Sequence, residues 1–222
     1  MEEGQRTGSV GRYGVLLVTL IAAYLVSAVT STHWGGAIHV TFVAAIGVLS
    51  LRNARRLRPR AVRVTRAVIV ATAIAAGIGL TSDNAAAQGA GDIWASVILL
   101  LTVLIIVDRV VRLDEVTEQA LYAAVSAYLL IGLMFTEYFA ALDVLVPGPF
   151  FANGQPANNQ TLQYFSFTTL TTLGYGDFTA VSSLGRAIAV LEALTGQVFL
   201  ATLVARLVSA YGGSRRRPPS GD

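Results

Sequence analysis

The sequence predicts an all-α integral membrane protein with six transmembrane helices and one re-entrant helical segment. The chain has 222 residues, of which 54% are hydrophobic and only 13% are charged, and its mean hydropathy is +0.62. This composition is far from that of an average soluble domain. Six apolar segments approach or exceed the length of about 17–25 residues that a spanning helix needs. They are 13–30, 37–51, 64–81, 93–107, 120–142 and 183–211.

The first four segments form a predicted helical scaffold at 13–112, after a short N-terminal tail at 1–12. Segment 13–30 does not read as a cleaved signal peptide, because no clear small-residue cleavage site follows it and five more apolar segments do. Segments 37–51 and 93–107 are short as written. Extension to His33 and to Val111 brings both of them into the spanning range.

The arginines predict how the chain is oriented in the membrane. All 16 basic residues are arginine, and 15 of them lie on the same side if both termini are cytoplasmic; only Arg186 falls near the outer face. Such a bias predicts a multi-pass protein of the plasma membrane with both termini inside the cell. The basic run RNARRLRPR at 52–60 fits a loop that contacts anionic lipid headgroups. It is too short for a nucleic-acid-binding fold, so no nucleic acid is expected as a partner.

Between the fifth and sixth segments, residues 143–182 begin with polar, turn-rich sequence and continue with the amphipathic run TLQYFSFTTLT. Asn159 or Thr161 is the expected N-cap of a short helix over 161–171. That helix would cover about 16 Å, roughly half of a hydrocarbon core of about 30 Å. A segment that enters half-way must turn back, and non-helical backbone at that depth survives only inside protein or along a water-filled path. Residues 172–176 should therefore line a pore.

The run TTLTTLGYGD at 168–177 resembles the signature of prokaryotic six-helix potassium channels, in which a pore helix precedes a Thr-x-Gly-Tyr-Gly selectivity filter. The resemblance implies a pore module at 113–211 that is followed by a basic cytoplasmic tail at 212–222. Within the module it implies an outer helix at 120–142, a pore helix at 161–171, a filter at 172–176 and an inner helix at 183–211.

The resemblance also implies a role for each residue of the filter, which comprises Thr172, Leu173, Gly174, Tyr175 and Gly176. Their carbonyl oxygens would replace the hydration shell of a permeating K⁺, and the Thr172 hydroxyl would add the innermost ring of oxygens. The two glycines permit backbone conformations that L-residues resist. Leu173, at a position where the commoner filter has valine, and Tyr175 would point into the packing behind the filter. Asp177 matches the acid that usually follows this motif.

Three further residues are expected to support the filter or its gating. The C-terminal end of the pore helix near Thr171 would direct partial negative charge toward the central cavity. Gly196 lies where the inner helix of the family commonly bends, although a close-packing role is equally open. Glu192 is either a structural acid, satisfied by hydroxyls such as those of Ser166 or Thr169, or a proton-sensitive element of gating.

A chain with a single GYG sequence cannot surround an ion, so three further copies are expected to complete a tetrameric pore. The predicted function is passive K⁺ conduction in contact with membrane lipid, with K⁺ as the permeating ion and no organic cofactor. Segment 93–107 contains no basic residue and only Arg109 and Arg112 follow it, which predicts weak or absent voltage dependence.

Other functions remain open at the level of sequence. A poorly selective monovalent cation channel and a voltage-gated potassium channel with a degenerate sensor are the alternatives. A membrane-embedded enzyme is not expected, because the sequence offers no nucleophile, metal cluster or paired acids in facing spans. No regulatory partner can be named from the sequence.

Overall fold

The computed structural model describes residues 12–29, 84–111 and 117–214. These ranges contain five helices: α1 (Arg12–Val29), α2 (Ala85–Val111), α3 (Glu118–Leu145), α4 (Asn159–Leu170) and α5 (Ser183–Ser214). Within the same ranges one isolated antiparallel β-bridge pairs Phe151 with Ala180. The predicted second and third spans, 37–51 and 64–81, lie outside the described residues, as do most of the two terminal tails.

Three of the described helices are long and apolar enough to cross a membrane: Ala85–Asp108, Glu118–Leu145 and Ser183–Arg206. The apolar part of α1, Tyr13–Leu25, is shorter than these. The chain is therefore a helical protein with the length and composition of a membrane protein.

Helix α2 begins eight residues before the predicted start of the fourth span. Its first turn contains three alanines, the strongest helix formers, and the Asn84 side chain accepts a hydrogen bond from the N–H of Ala86 at 3.0 Å. The alanine propensity and the Asn84 cap therefore determine where the helix starts, ahead of the continuous apolar run that hydropathy detects.

Helix α3 is the centre of the described fold, because the other four described helices all pack against it. It begins after the N-cap Thr117, whose side chain accepts a hydrogen bond from the N–H of Ala120 at 3.3 Å. Most of α3 is buried, whereas most of α5 is exposed. The described residues of the chain thus leave most of this long apolar helix uncovered, as is typical of surfaces that contact lipid or other proteins.

The short helix α4 meets α3 at Gly132, where the absence of a side chain lets the Phe167 ring approach the α3 backbone. A Cβ atom placed on Gly132 would lie 2.7 Å from Cζ of that ring. The Phe167 ring also meets Tyr24 of α1 at a ring-centroid distance of 4.8 Å. Helix α1 thus contributes directly to the packing of α4.

Five phenylalanines form an aromatic cluster that joins α3, α4 and the two loops that flank α4. They are Phe139, Phe150, Phe151, Phe165 and Phe178, with centroid distances of 4.9 Å between Phe139 and Phe165 and between Phe151 and Phe178. Two backbone hydrogen bonds of 2.9 Å, from Ala152 N–H to Thr179 O and from Val181 N–H to Phe150 O, join the loop before α4 to the loop after it. The two loops are therefore held as one unit.

We expect Gly132→Ala to destabilise the fold by about 1–3 kcal/mol, because the new methyl group would overlap the Phe167 ring. Thermal unfolding of the detergent-solubilised protein measures the loss. The double variant Gly132→Ala/Phe167→Leu should recover part of it relative to the sum of the single effects. Strict additivity of the two substitutions would contradict the contact.

Candidate functional site

Helix α4 is fixed at its N-terminus by a capping box. Asn158 is the N-cap: its side chain accepts from the N–H of Thr161 at 3.0 Å, and the Thr161 hydroxyl accepts from the N–H of Asn158 at 3.0 Å. The sequence prediction of Asn159 or Thr161 as the cap is thus wrong, because Thr161 takes the third helical position, where its hydroxyl can reach back to the Asn158 N–H. The helix spans Asn159–Leu170 with Thr171 as the C-cap.

At the other end of α4, each of the last four helical carbonyls has a hydrogen-bond donor, although no helical partner follows them. Phe167 O accepts hydrogen bonds from the Thr171 N–H (3.1 Å) and hydroxyl (2.7 Å), and Thr168 O accepts from the N–H groups of Leu173 (2.8 Å) and Gly174 (3.1 Å). Thr169 O accepts from the Thr172 N–H (2.9 Å). Leu170 O accepts from the Tyr128 hydroxyl of α3 (3.2 Å). The chain therefore leaves the helix through a fully hydrogen-bonded turn.

The candidate filter, residues 172–176, has an alternating backbone. Thr172 (φ 57°), Gly174 (φ 49°) and Gly176 (φ 82°) have positive φ, whereas Leu173 and Tyr175 do not. The prediction covered the two glycines; Thr172 extends the same alternation to a non-glycine residue, which is uncommon for a β-branched side chain. The predicted filter needs left-handed or mirror conformations that alternate with ordinary ones, so that its carbonyl groups can face one axis. That these carbonyls bind a cation stays a prediction. Among the described residues, no group of three or more histidine or acidic side chains could hold a metal ion.

The side chains between the positive-φ residues are not covered by the described part of this chain. Leu173 is 53% exposed and Tyr175 is 69% exposed. The packing predicted behind the filter must therefore come from outside the described residues of a single copy.

Asp177 follows the filter and is tied to two other elements. Its carboxylate accepts a hydrogen bond from the Tyr164 hydroxyl of α4 at 2.9 Å, and its backbone carbonyl accepts from Nδ2 of Asn153 at 2.6 Å. Desolvation and this hydrogen bond raise the pKa of the Tyr164 hydroxyl above its ordinary value, so it remains the donor. The outer end of the candidate filter is thus linked to α4 and to the loop before it.

Glu192 of α5 lies behind α4 and is fully buried. Of the two hydroxyls that the sequence offered, that of Ser166 is the one found here: its Oγ lies 2.5 Å from Glu192 Oε1 and 2.7 Å from Gly132 O. Glu192 Oε2 has no hydrogen-bond partner among the described residues. A buried carboxylate with one donor would lose most of its hydration, whereas a protonated carboxyl can donate to Ser166, which in turn donates to Gly132. The contacts therefore favour a neutral, structural Glu192 that joins α5, α4 and α3.

Gly196 brings α5 against the C-terminal end of α4. A Cβ atom placed on Gly196 would lie 2.2 Å from the backbone oxygen of Leu170, a distance that no relaxed contact allows. Helix α5 continues without interruption from Ser183 to Ser214. Of the two roles that the sequence left open, close packing has a direct contact in this structure, while bending stays a prediction.

Sequence reasoning did not identify Gln197, the residue after Gly196. Its Nε2 donates a hydrogen bond to the Thr172 hydroxyl at 3.1 Å, across 25 positions of sequence. Tyr164, Asn153 and Tyr128 were missed for the same reason. Each of them contacts a site residue that is distant in sequence, and no local motif marks such a contact.

We expect Gly196→Ala to destabilise the protein more than Gly89→Ala does. The Gly89 methyl would meet the side chain of Leu145, which can rotate away, whereas the Gly196 methyl would meet main-chain atoms. Both substitutions gain about 1 kcal/mol of helix propensity, so the difference between them reports the contact. Thermal unfolding midpoints measured side by side provide the test, and equal midpoints would contradict the contact between α4 and α5.

We expect Glu192→Gln to leave the thermal unfolding midpoint, the current and its pH dependence unchanged, because an amide N–H can replace the carboxyl proton as donor to Ser166. Ser166→Ala should cost about 1–3 kcal/mol, since it leaves the buried carboxyl without its partner. Thermal unfolding midpoints measure the stability of both variants. Current recordings between about pH 5 and pH 8, the range of physiological titrations, measure the pH dependence. A pH dependence that Glu192→Gln removes would instead favour proton-sensitive gating.

One comparison with known proteins gave a match. Residues 150–212, which contain α4, the candidate filter and most of α5, match a protein-family model described as "Ion channel". A search of curated proteins and a search of solved structures each found no match. The family match supports a pore-loop ion channel.

Proposed function

We propose that four copies of this chain form a potassium-selective channel that conducts K⁺ passively across the plasma membrane. The observation that carries the proposal is the alternation of φ along Thr172–Gly176, directly after a helix whose last carbonyls are all hydrogen-bonded. Carbonyl groups that share one side can replace the water of a dehydrated cation when they form a ring around it. The ion-channel family match over residues 150–212 supports the same assignment.

The exposed surfaces in the described part of one copy support the proposed assembly. One filter segment offers oxygens from one side only, and the exposure of Leu173 and Tyr175 leaves its other side without support. Helix α5 also exposes a row of large apolar residues, including Val190, Leu194 and Val198. Cyclic symmetry with four subunits would cover these surfaces and place the oxygens around one axis.

The scaffold is proposed to support the pore without a steep response to voltage. A voltage sensor needs charges that move through the membrane field, and each such charge contributes only about 2.3 kcal/mol per 100 mV. The sequence of α2 from Ala85 to Asp108 contains no basic residue. Both termini are proposed to be cytoplasmic, because this topology places nearly all arginines inside. A regulatory partner is left unassigned.

Reversal potentials of the purified protein in liposomes, with K⁺ on one side and Na⁺ on the other, test the proposal. We expect a K⁺-selective current from wild type and a loss of K⁺ selectivity in Gly176→Ala. Gly154→Ala is the matched control: both glycines have positive φ with open space where a methyl group would be added, so the local backbone strain is comparable, but Gly154 lies in the loop before α4. Native mass spectrometry of the same preparation should give a tetramer.

Equal permeability of wild type to K⁺ and Na⁺ would instead favour a poorly selective monovalent cation channel. A steep conductance–voltage relation that flattens when Arg109 and Arg112 are neutralised would favour a degenerate voltage sensor. Monomers or dimers alone in a conducting preparation would contradict the tetrameric pore.

A further inference from the structure

The contact between Gln197 and Thr172 links α5 to the first residue of the candidate filter. Gln197 Nε2 donates to Thr172 Oγ1 at 3.1 Å, and both side chains are exposed in the single chain. Gly196 makes the contact possible, because only a residue without Cβ lets α5 approach the end of α4 this closely.

The hydrogen bonds of the Thr172 hydroxyl leave one of its acceptor positions unused. Its proton is donated to Thr171 O at 2.7 Å, and one lone pair accepts from Gln197. A hydroxyl has one donor and two acceptor positions, so a single lone pair remains. Because these two hydrogen bonds fix the orientation of the hydroxyl, the remaining lone pair has a defined direction.

Thr172 is also the residue whose conformation most needs support. Its φ of 57° is in the left-handed region, which is costly for a β-branched residue and persists only where the surroundings hold it. Its N–H donates to Thr169 O, and its hydroxyl is held by Thr171 and Gln197. Among these contacts, the one from Gln197 is the one that comes from another helix.

We propose that Gln197 is a positioning residue that fixes the Thr172 hydroxyl so that its remaining lone pair faces a permeating monovalent cation, and that this contact sharpens the discrimination between K⁺ and Na⁺ at the inner end of the filter. The inference rests on the proposed function. Gln197 acts through Thr172. Without the amide donor, only the hydrogen bond to Thr171 O holds the hydroxyl, and the orientation of its lone pairs toward the cation path is less well defined.

A double-mutant cycle on the full-length protein tests this assignment. Gln197→Met removes the donor at nearly the same side-chain length, and Thr172→Val removes the hydroxyl at nearly the same shape. We expect Gln197→Met to lower the K⁺/Na⁺ permeability ratio, from reversal potentials in liposomes, about 2- to 10-fold, the range that one neutral hydrogen bond supplies. In the Thr172→Val background, the same substitution should change the ratio by less than about 2-fold.

Gln155→Met, an equivalent substitution in the exposed loop before α4, is the matched control and should keep the wild-type ratio. Thr172→Ser keeps the hydroxyl, and Gln197→Met should therefore retain its full effect in that background. If Thr172→Val passes no current, the shift of the thermal unfolding midpoint with added K⁺ is measured over the same cycle. An undiminished effect of Gln197→Met in Thr172→Val by that measure overturns the assignment.

Different results would overturn the positioning role of Gln197 and the proposed function. A K⁺-selective wild type whose ratio survives Gln197→Met, or falls equally with and without the Thr172 hydroxyl, overturns the positioning role alone. A wild type with no preference for K⁺ overturns the proposed function, and the positioning role with it.

Discussion

The constraint on which this structure depends is the need to satisfy backbone hydrogen-bonding groups at the end of a half-length helix. A helix that stops inside a membrane leaves four carbonyls without helical partners, and lipid cannot supply donors. Here Phe167, Thr168, Thr169 and Leu170 all receive donors, from the turn itself and from Tyr128 of α3. The candidate filter can begin at this point because the turn that leads into it is already satisfied.

The same helix is held at three levels, and each level uses different chemistry. At its N-terminus, the Asn158–Thr161 capping box and the aromatic cluster fix where α4 starts. Midway, the Ser166 hydroxyl bridges Glu192 and the Gly132 carbonyl, a polar contact that would be costly if any member lacked its partner. At its C-terminus, Gly196 allows backbone contact with α5. Attachment at three levels leaves α4 little freedom to tilt. The candidate filter, which follows α4 directly, therefore starts from a fixed position.

The parts of the site that the sequence predicted are those that local pattern encodes. The short helix before LGYGD and the positive φ of Gly174 and Gly176 follow from adjacent residues, and both are present. The N-cap was misplaced, by one residue for Asn159 and by three for Thr161, because several adjacent polar residues can cap a helix and composition cannot choose between them. Hydropathy placed the start of α2 too late, since AAAQGAGD forms helix through alanine propensity and not through apolar length. The Gln197–Thr172 contact could not be predicted, because it arises only when Gly196 brings two distant segments together.

The contact between α1 and α4 limits what the scaffold can do. Phe167 contacts both Gly132 of α3 and Tyr24 of α1, so the first helix packs against α4 as well as against α3. Helix α2 packs along α3 of the same chain, to which it is joined through only the short segment 112–116. A sensor that transmits force needs a charged helix that moves and a connection long enough to act as a lever. The uncharged stretch in α2 and the direct packing of α1 on α3 and α4, both in the described part of the scaffold, support the proposal that the scaffold holds the pore helix in place without a steep response to voltage.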